Sequence, residues 1–221
     1  MTLARTLEPE TMDAFDEAVA YLEMNHAEVN RVFADDLFAG GPTGPRVIDL
    51  GCGPATLAIE VASRDEALEV IAVDLSTEML GLAKQEIDFA GMLDRIMLHQ
   101  ADAKTMAGYE DAIADTVISN SLIHHLEQAA EAIKTSMRLT KPGGRVFIRD
   151  LMRPDSESAV ESLVQLHAGE ETEIAQQLLR QSLHAALTLE EIGQVIEQCG
   201  MSAACVQATS DRHWTIDWTR P

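Results

Sequence analysis

Apolar residues along the chain follow two alternating periods. Runs of strand length recur at Val47-Ile48, Val70-Ile71-Ala72-Val73, Ile96-Met97-Leu98, Val117-Ile118 and Val146-Phe147-Ile148. Between them apolar positions return at helical spacing, as in Leu57, Ile59 and Val61, or Ala129, Ile133 and Met137. After a first strand at Val47-Leu50, the pattern predicts helix 55–64, strand 68–74, helix 76–88 and strand 95–100. A helix near 109–113, strand 114–119, helix 127–139 and strand 145–150 follow. Ser76 stands where a helix cap belongs, and Lys141-Pro142-Gly143-Gly144 marks a turn. Strands alternating with helices predict a doubly wound α/β sheet, mostly parallel, with helices on both faces. Ligands of such sheets lie outside the carboxyl ends of the strands.

Both ends add to this alternation. Residues 10–39 read as two short helices, one carrying Phe15, Val19 and Leu22, the next Val29, Val32, Phe33 and Leu37. Asn25 is the expected cap of the second, with Glu28 completing a capping box and Gly40-Gly41 as its stop. Residues 1–40 therefore form cap helices ahead of the sheet. Residues 155–186 hold two further helical patterns split by Gly169, a helical insertion after the fifth strand. Thr188 and Glu191 form a capping box for helix 189–199. Residues 202–208 and 213–219 read as strands joined by Ser210-Asp211-Arg212, a turn short enough to force them antiparallel. No linker or repeat interrupts the chain, so residues 1–221 read as a single domain.

The most informative stretch is Asp49-Leu50-Gly51-Cys52-Gly53-Pro54-Ala55-Thr56. A strand running into a glycine turn and then a helix makes a ligand-binding corner. Gly51 and Gly53 let backbone amides approach a ligand closely. Asp49 would repel a pyrophosphate and suits a cation. A dinucleotide fingerprint needs a third glycine where Thr56 stands, and no G-K-[ST] sequence occurs. Two later strands also end in acids. Asp74 lies about 20 residues beyond the glycines, the separation from which an acid reaches ribose hydroxyls; Asp102 closes the third strand.

With these elements in this order, the chain resembles the class I S-adenosylmethionine-dependent methyltransferases of small-molecule type, similar to the ubiquinone and menaquinone group. The resemblance covers residues 46–150, and the C-terminal end by pattern. It implies a Rossmann-like fold with an antiparallel C-terminal hairpin, S-adenosylmethionine as cofactor and S-adenosylhomocysteine as product. The glycine turn (Gly51, Cys52, Gly53) would wrap the methionine portion and Asp49 would meet its ammonium. Asp74 would hold the ribose and Asp102 the adenine amine, with Leu75 and Ala103 packed on the adenosine. Asn120 would lie beside the reactive methyl. The family's last glycine is Ala55 here. The cap helices and the 155–186 insertion occupy positions that wall or cover the substrate site in that family.

Methyl transfer needs alignment and, for some acceptors, a base. Tyr21 and His26 lie at the joint of the two cap helices, as ligand contacts or as local structure. His124 and His125 follow the fourth strand, and at most one of them should face the site. Either could act as base or simply pack a helix start. Arg149 and Asp150 end the fifth strand. Arg149 could grip an anionic group of the acceptor or join Asp150 in a structural ion network. His167 and His184 read as core residues, or as substrate contacts if their helices form a lid. No H-x-x-x-H or C-x-x-C spacing suggests a metal.

Charge narrows the acceptor. A formal net charge of −21 gives nothing that attracts a phosphate backbone, so no nucleic-acid partner is expected. No stretch approaches the length of a membrane span, no leader is visible and the cysteines, Cys52, Cys199 and Cys205, are scattered. A cytoplasmic enzyme acting on a small molecule, as monomer or homodimer, is the expectation. A non-methylating reaction on the same cofactor, or a non-catalytic adenosylmethionine-binding sensor or partner subunit, stand as rivals.

Overall fold

A computed structural model describes residues 3–11, 14–24 and 26–221. Two helices open it, α1 (Phe15–Glu23) and α2 (Ala27–Ala39), and Gly40 caps the second. The cap expected at Asn25 lies outside the described residues. The alternation follows as β1 (Arg46–Leu50), α3 (Thr56–Arg64), β2 (Glu69–Asp74), α4 (Thr77–Phe89), β3 (Ile96–Gln100), β4 (Ala114–Asn120), α5 (Ala129–Leu139) and β5 (Thr140–Leu151). Then come α6 (Glu157–Ala168), α7 (Glu173–Ala185), α8 (Leu189–Gln198), β6 (Val206–Ala208) and β7 (His213–Thr219). The seven strands form one sheet in the order β3-β2-β1-β4-β5-β7-β6. Pairing is parallel from β3 through β5, and β7 runs antiparallel to both β5 and β6. This is the Rossmann-like sheet with an antiparallel hairpin that the pattern predicts.

Strand alternation divides the core between the two faces. Val47 of β1 packs with Val70, Ala72 and Ile118 beneath α2, α3 and α4. Ile48 and Leu50 pack with Val73 and Val117 on the opposite face, where α5 and α8 cover Val146, Ile148 and Trp214. The caps read from sequence hold. The Ser76 hydroxyl accepts from the Met79 amide, and Thr188 and Glu191 make a reciprocal capping box.

Three segments differ from expectation. Residues 109–113 form an irregular segment with a bend at Asp111–Ala112, where Ala112 takes φ of 55° and no right-handed helix passes. The C-terminal strand 202–208 is shortened, since Ala203–Cys205 form a 3₁₀ turn capped by Ser202. The turn signal at 141–144 sits within β5. Thr140 pairs with Ala114 and Arg145 with Thr116, so residues 141–144 bulge opposite Asp115, with Gly143 at φ 77°.

The additions converge on the carboxyl edge of the sheet. Ala18 of α1 packs on Met79 and Leu82 of α4, and α7 contacts both α1 and the turn Ile123–His125. Val160 and Val164 of α6 and Leu183 of α7 pack around Leu151 at the end of β5. Residues 3–11 run across this edge. Arg5 donates to the carbonyls of Ala185, His124 and Leu126, tying the N-terminal segment to α7 and to the turn after β4.

Candidate active site

The glycine turn folds back on its neighbour strand. The amides of Gly51 and Cys52 both donate to the Val73 carbonyl, at 2.8 and 2.9 Å. Gly51 takes φ 71°, and a Cβ there would lie 2.7 Å from Leu122 Cδ1, so backbone and space both require glycine. Ala55 also sits in the left-handed region, at φ 60°. The alanine thus adopts the conformation a glycine would take, at a cost of about 1 kcal/mol.

Asp49 is 1% exposed, and neither of its carboxylate oxygens has a hydrogen-bond partner. Burial, then the charge of Asp74, pushes its pKa up to about 7. Asp74 is fixed by backbone: one oxygen accepts from the Gly53 amide at 2.8 Å, the other from Ser76 at 2.9 Å. Asp102 accepts from the Lys104 amide at 2.8 Å. Lys104 in turn pairs with Glu10 of the N-terminal segment.

Two cavities meet at this edge. The first is lined by Asp49, Gly51, Asp74, Leu75, Asp102 and Ala103, with Cys52 and Gly53 beside them. The second lies under α6 and α7 and is lined by His124, Leu151, His167, Leu179, Arg212 and His213. Tyr21, His26, Asn120, Ser121 and His125 line both, forming the wall between them. Asn120 Oδ1 is buried there without a partner. Ser121, next to it, takes φ 57°, a strained position of the kind found at ligand sites.

The residues of the shared wall differ in charge state. Burial, then the surrounding acids, raises the Tyr21 phenol to about 12, so it stays a donor. His26 Nε2 lies 3.0 Å from the Tyr21 carbonyl, which can only accept, leaving Nδ1 with the lone pair. Burial lowers the His26 pKa, so its ring is neutral. His125 Nδ1 lies 3.2 Å from the Pro9 carbonyl, and burial with the neighbouring His124 charge brings His125 down to about 4. Its Nε2 therefore also keeps a lone pair.

His124 is the opposite case. It is 3% exposed, with Nδ1 2.5 Å from Asp150 and Nε2 3.1 Å from Glu8. Burial disfavours its charge, but the two carboxylates outweigh burial and raise the pKa to about 10. The reading of His124 as a base is thereby corrected: both ring nitrogens donate and no lone pair remains. Asp150 is 0% exposed and accepts from the amides of Ile123, His124 and Leu151 as well as from the imidazole. It lines neither cavity, and positions the turn instead of touching a substrate.

Arg149 is corrected likewise. Its guanidinium donates to Asp36 at 2.5 Å and to the Thr215 hydroxyl at 2.9 Å, under Phe33 and Phe147, and lines neither cavity. Adjacent residues of a strand point to opposite faces, so Arg149 and Asp150 cannot share one site. Arg153, in the same stretch, pairs with Glu191. His167 holds Asp211 at 2.7 Å on the rim of the second cavity, while His184 pairs with Glu157. Glu8, His124 and His125 place ligand atoms within 4.8 Å of one another, but the contacts just described already occupy them as an imidazole–carboxylate cluster.

Sequence reasoning missed Glu8, Lys104 and Arg212. Glu8 and Lys104 matter only through the path of the N-terminal segment, which carries no periodicity. Arg212 stood in the expected hairpin turn, where a cation carries no signal of its own.

Residues 48–148 match the family model for a methyltransferase domain. That stretch, just under half of the chain, is similar to a methyltransferase domain. It spans the sheet from β1 into β5 and carries Asp49, the glycine turn, Asp74, Asp102 and Asn120. Among curated proteins, the chain is 29% identical over 119 residues to a 27-O-demethylrifamycin SV methyltransferase of Amycolatopsis mediterranei, covering 54% of this chain and 43% of the relative. It is 29% identical to a ubiquinone biosynthesis O-methyltransferase of Aromatoleum aromaticum, covering 51% and 47%. The matches thus span about half the length of these relatives. An O-methyltransferase family protein from Burkholderia thailandensis superposes with a TM-score of 0.69 at 23% identity, over 94% of this chain and 59% of that one. That likeness concerns the fold. The helices and the hairpin turn that build the second cavity lie outside the matched residues 48–148.

Proposed function

We propose that the protein transfers a methyl group from S-adenosylmethionine to a small-molecule acceptor and releases S-adenosylhomocysteine. The observation that carries this reading is Asp49: a buried carboxylate without a partner, behind a glycine turn, in a cavity flanked by Asp74 and Asp102. An uncompensated buried charge is costly, and a ligand ammonium relieves the cost. Asp74 faces the same cavity for the ribose, and Asp102, Leu75 and Ala103 suit the adenosine. When bound, the cofactor supplies an electrophilic methyl on a sulfonium.

The chain's own groups then have to orient the acceptor and remove its proton. Asn120 and Ser121 lie where the two cavities meet, which suits in-line approach from the second cavity. His26 is the better proton acceptor of the wall, being neutral with Nδ1 free to accept. His125, at about 4, is too weak a base near neutrality. Helices α6 and α7 exclude water from the acceptor side in this reading. The free cysteines and the charge of −21 support a cytoplasmic, small-molecule enzyme.

Calorimetry with S-adenosylmethionine and S-adenosylhomocysteine tests the reading, with wild type beside Asp74→Ala. The expected result is micromolar binding by wild type and its loss in the variant, followed by transfer of labelled methyl in an acceptor screen. Absence of binding by wild type would overturn the cofactor assignment.

A further inference from the structure

The second cavity holds a cation that nothing in the fold accounts for. Every other arginine of the chain pairs its guanidinium with a carboxylate or donates it to backbone carbonyls, the latter alone at Arg5, Arg95 and Arg220. Arg212 makes no such contact among the described residues, although it lines the cavity and burial lowers its pKa. Asp211 acts on it through space, but in a chain of net charge −21 a half-buried guanidinium that donates to no carboxylate is an exception that asks for a ligand. Its neighbour Asp211 would be the natural partner but is committed to His167 at 2.7 Å. The turn that presents Arg212 is held from both sides. The Met152 amide donates to the Arg212 carbonyl at 2.7 Å, and the Arg212 amide donates to Ser210 Oγ at 3.2 Å.

Resting on the methyltransferase reading above, we propose that the acceptor carries a carboxylate and that Arg212 grips it in the second cavity. A guanidinium presents paired N–H donors that match the two oxygens of a carboxylate. The remaining lining narrows the anion to a single charge. Glu171 also lines this cavity, without an ion pair among the described residues, and a dianionic phosphate would meet twice the repulsion from it. His213, beside Arg212, is held neutral by burial at about 3 and adds no second positive charge for a phosphate. The acceptor therefore spans from Arg212 at its anionic end to the Asn120–Ser121 wall at its nucleophilic end.

The test measures binding, so that it does not depend on turnover. The protein is saturated with S-adenosylhomocysteine, and a panel of aromatic and aliphatic hydroxy acids is compared with the matching primary amides by saturation-transfer NMR and titration. Wild type should bind the better acids about 10- to 100-fold more tightly than their amides, the span of a charge-assisted contact. Arg212→Gln should erase that preference while binding S-adenosylhomocysteine as wild type does, and Arg212→Lys should keep part of it. Glu171→Gln should tighten acid binding. Acids that bind wild type no better than amides, or a preference that survives Arg212→Gln, would overturn the proposal. Failure of S-adenosylhomocysteine to bind would instead strike the methyltransferase reading, and an acid preference without methyl transfer would leave the site standing and that reading refuted.

Discussion

One carboxylate oxygen of Asp150 lies 2.5 Å from His124 Nδ1, while the other accepts from the amides of Ile123 and His124. A single buried acid thus fixes the 3₁₀ turn after β4 and the charge of the ring it carries. Asp150→Asn removes the countercharge of a buried imidazole, and should destabilise the fold by about 3 kcal/mol, read from urea unfolding at neutral pH. The pH dependence has two sides. Asp150 has a lowered pKa, so its contribution is present above the ordinary 3.8 and lost as pH falls below it. His124 has a raised pKa, so its contribution is full below 6.5 and lost as pH rises towards about 10. The stability gap between wild type and Asp150→Asn should therefore be widest between those two ordinary values and shrink on either side.

Asp49 titrates in the opposite sense from Asp150, because it is buried without a partner. Its pKa is raised from 3.8 to about 7, so the folded protein holds a proton that the unfolded chain releases. Ligand-free wild type should lose stability over that interval as pH rises, and Asp49→Asn should not. The melting-temperature advantage of the variant should grow up to about pH 7 and then level off. S-adenosylhomocysteine binding should move the other way. Wild-type affinity should rise with pH through 7, and the variant should bind at least about tenfold more weakly. A variant more stable alone yet poorer in binding is the signature expected of a residue kept for a ligand cation.

The lining of the first cavity was legible because its parts are local. Asp49, Gly51 and Gly53 lie within one strand and turn, and Asp74 sits at the end of the next strand, so short-range spacing brings them together in any parallel sheet. That of the second cavity was not. Arg149 looked like the anion-binding residue because it ends a strand at the ligand edge, yet strand alternation turns it towards α2 and Asp36. Arg212 reaches the cavity through the antiparallel hairpin, and Glu8 reaches His124 only because the N-terminal segment crosses α7. Such placements depend on tertiary packing between segments far apart in the chain, which no local pattern encodes.

The Arg149–Asp36 pair yields an asymmetric prediction. Arg149 is 4% exposed by side chain and Asp36 is 51% exposed. Removing Asp36 leaves a buried guanidinium uncompensated, whereas removing Arg149 leaves an acid that water can solvate. Asp36→Ala should cost about 3 kcal/mol, and Arg149→Met, which keeps the volume between Phe33 and Phe147, about 1 kcal/mol or less. Neither should alter S-adenosylhomocysteine affinity beyond about twofold, because neither residue lines the cavities. Paired urea melts and calorimetric titrations would check both statements.

The two glycines of the turn should fail in different ways. An alanine at Gly51 meets both obstacles, φ 71° and Leu122 Cδ1 at 2.7 Å. The left-handed backbone costs about 1–2 kcal/mol and the overpacking about 1–3 more, so Gly51→Ala should lower stability by about 2–5 kcal/mol. Adding Leu122→Ala should relieve the clash but not the backbone, so the double variant should be more stable than the sum of the single losses implies. At Gly53 φ is 52° and nothing lies nearer a Cβ than Tyr21 Cε1 at 3.8 Å. Ala55 already tolerates φ 60° two residues on. Gly53→Ala should therefore cost only about 1 kcal/mol of stability. Its new methyl would stand in the first cavity, between Tyr21 and Met79, where the cofactor is proposed to bind. Loss of S-adenosylhomocysteine binding with near-normal unfolding is the expected outcome for Gly53→Ala. Near-normal binding by that variant would move the ligand away from the turn.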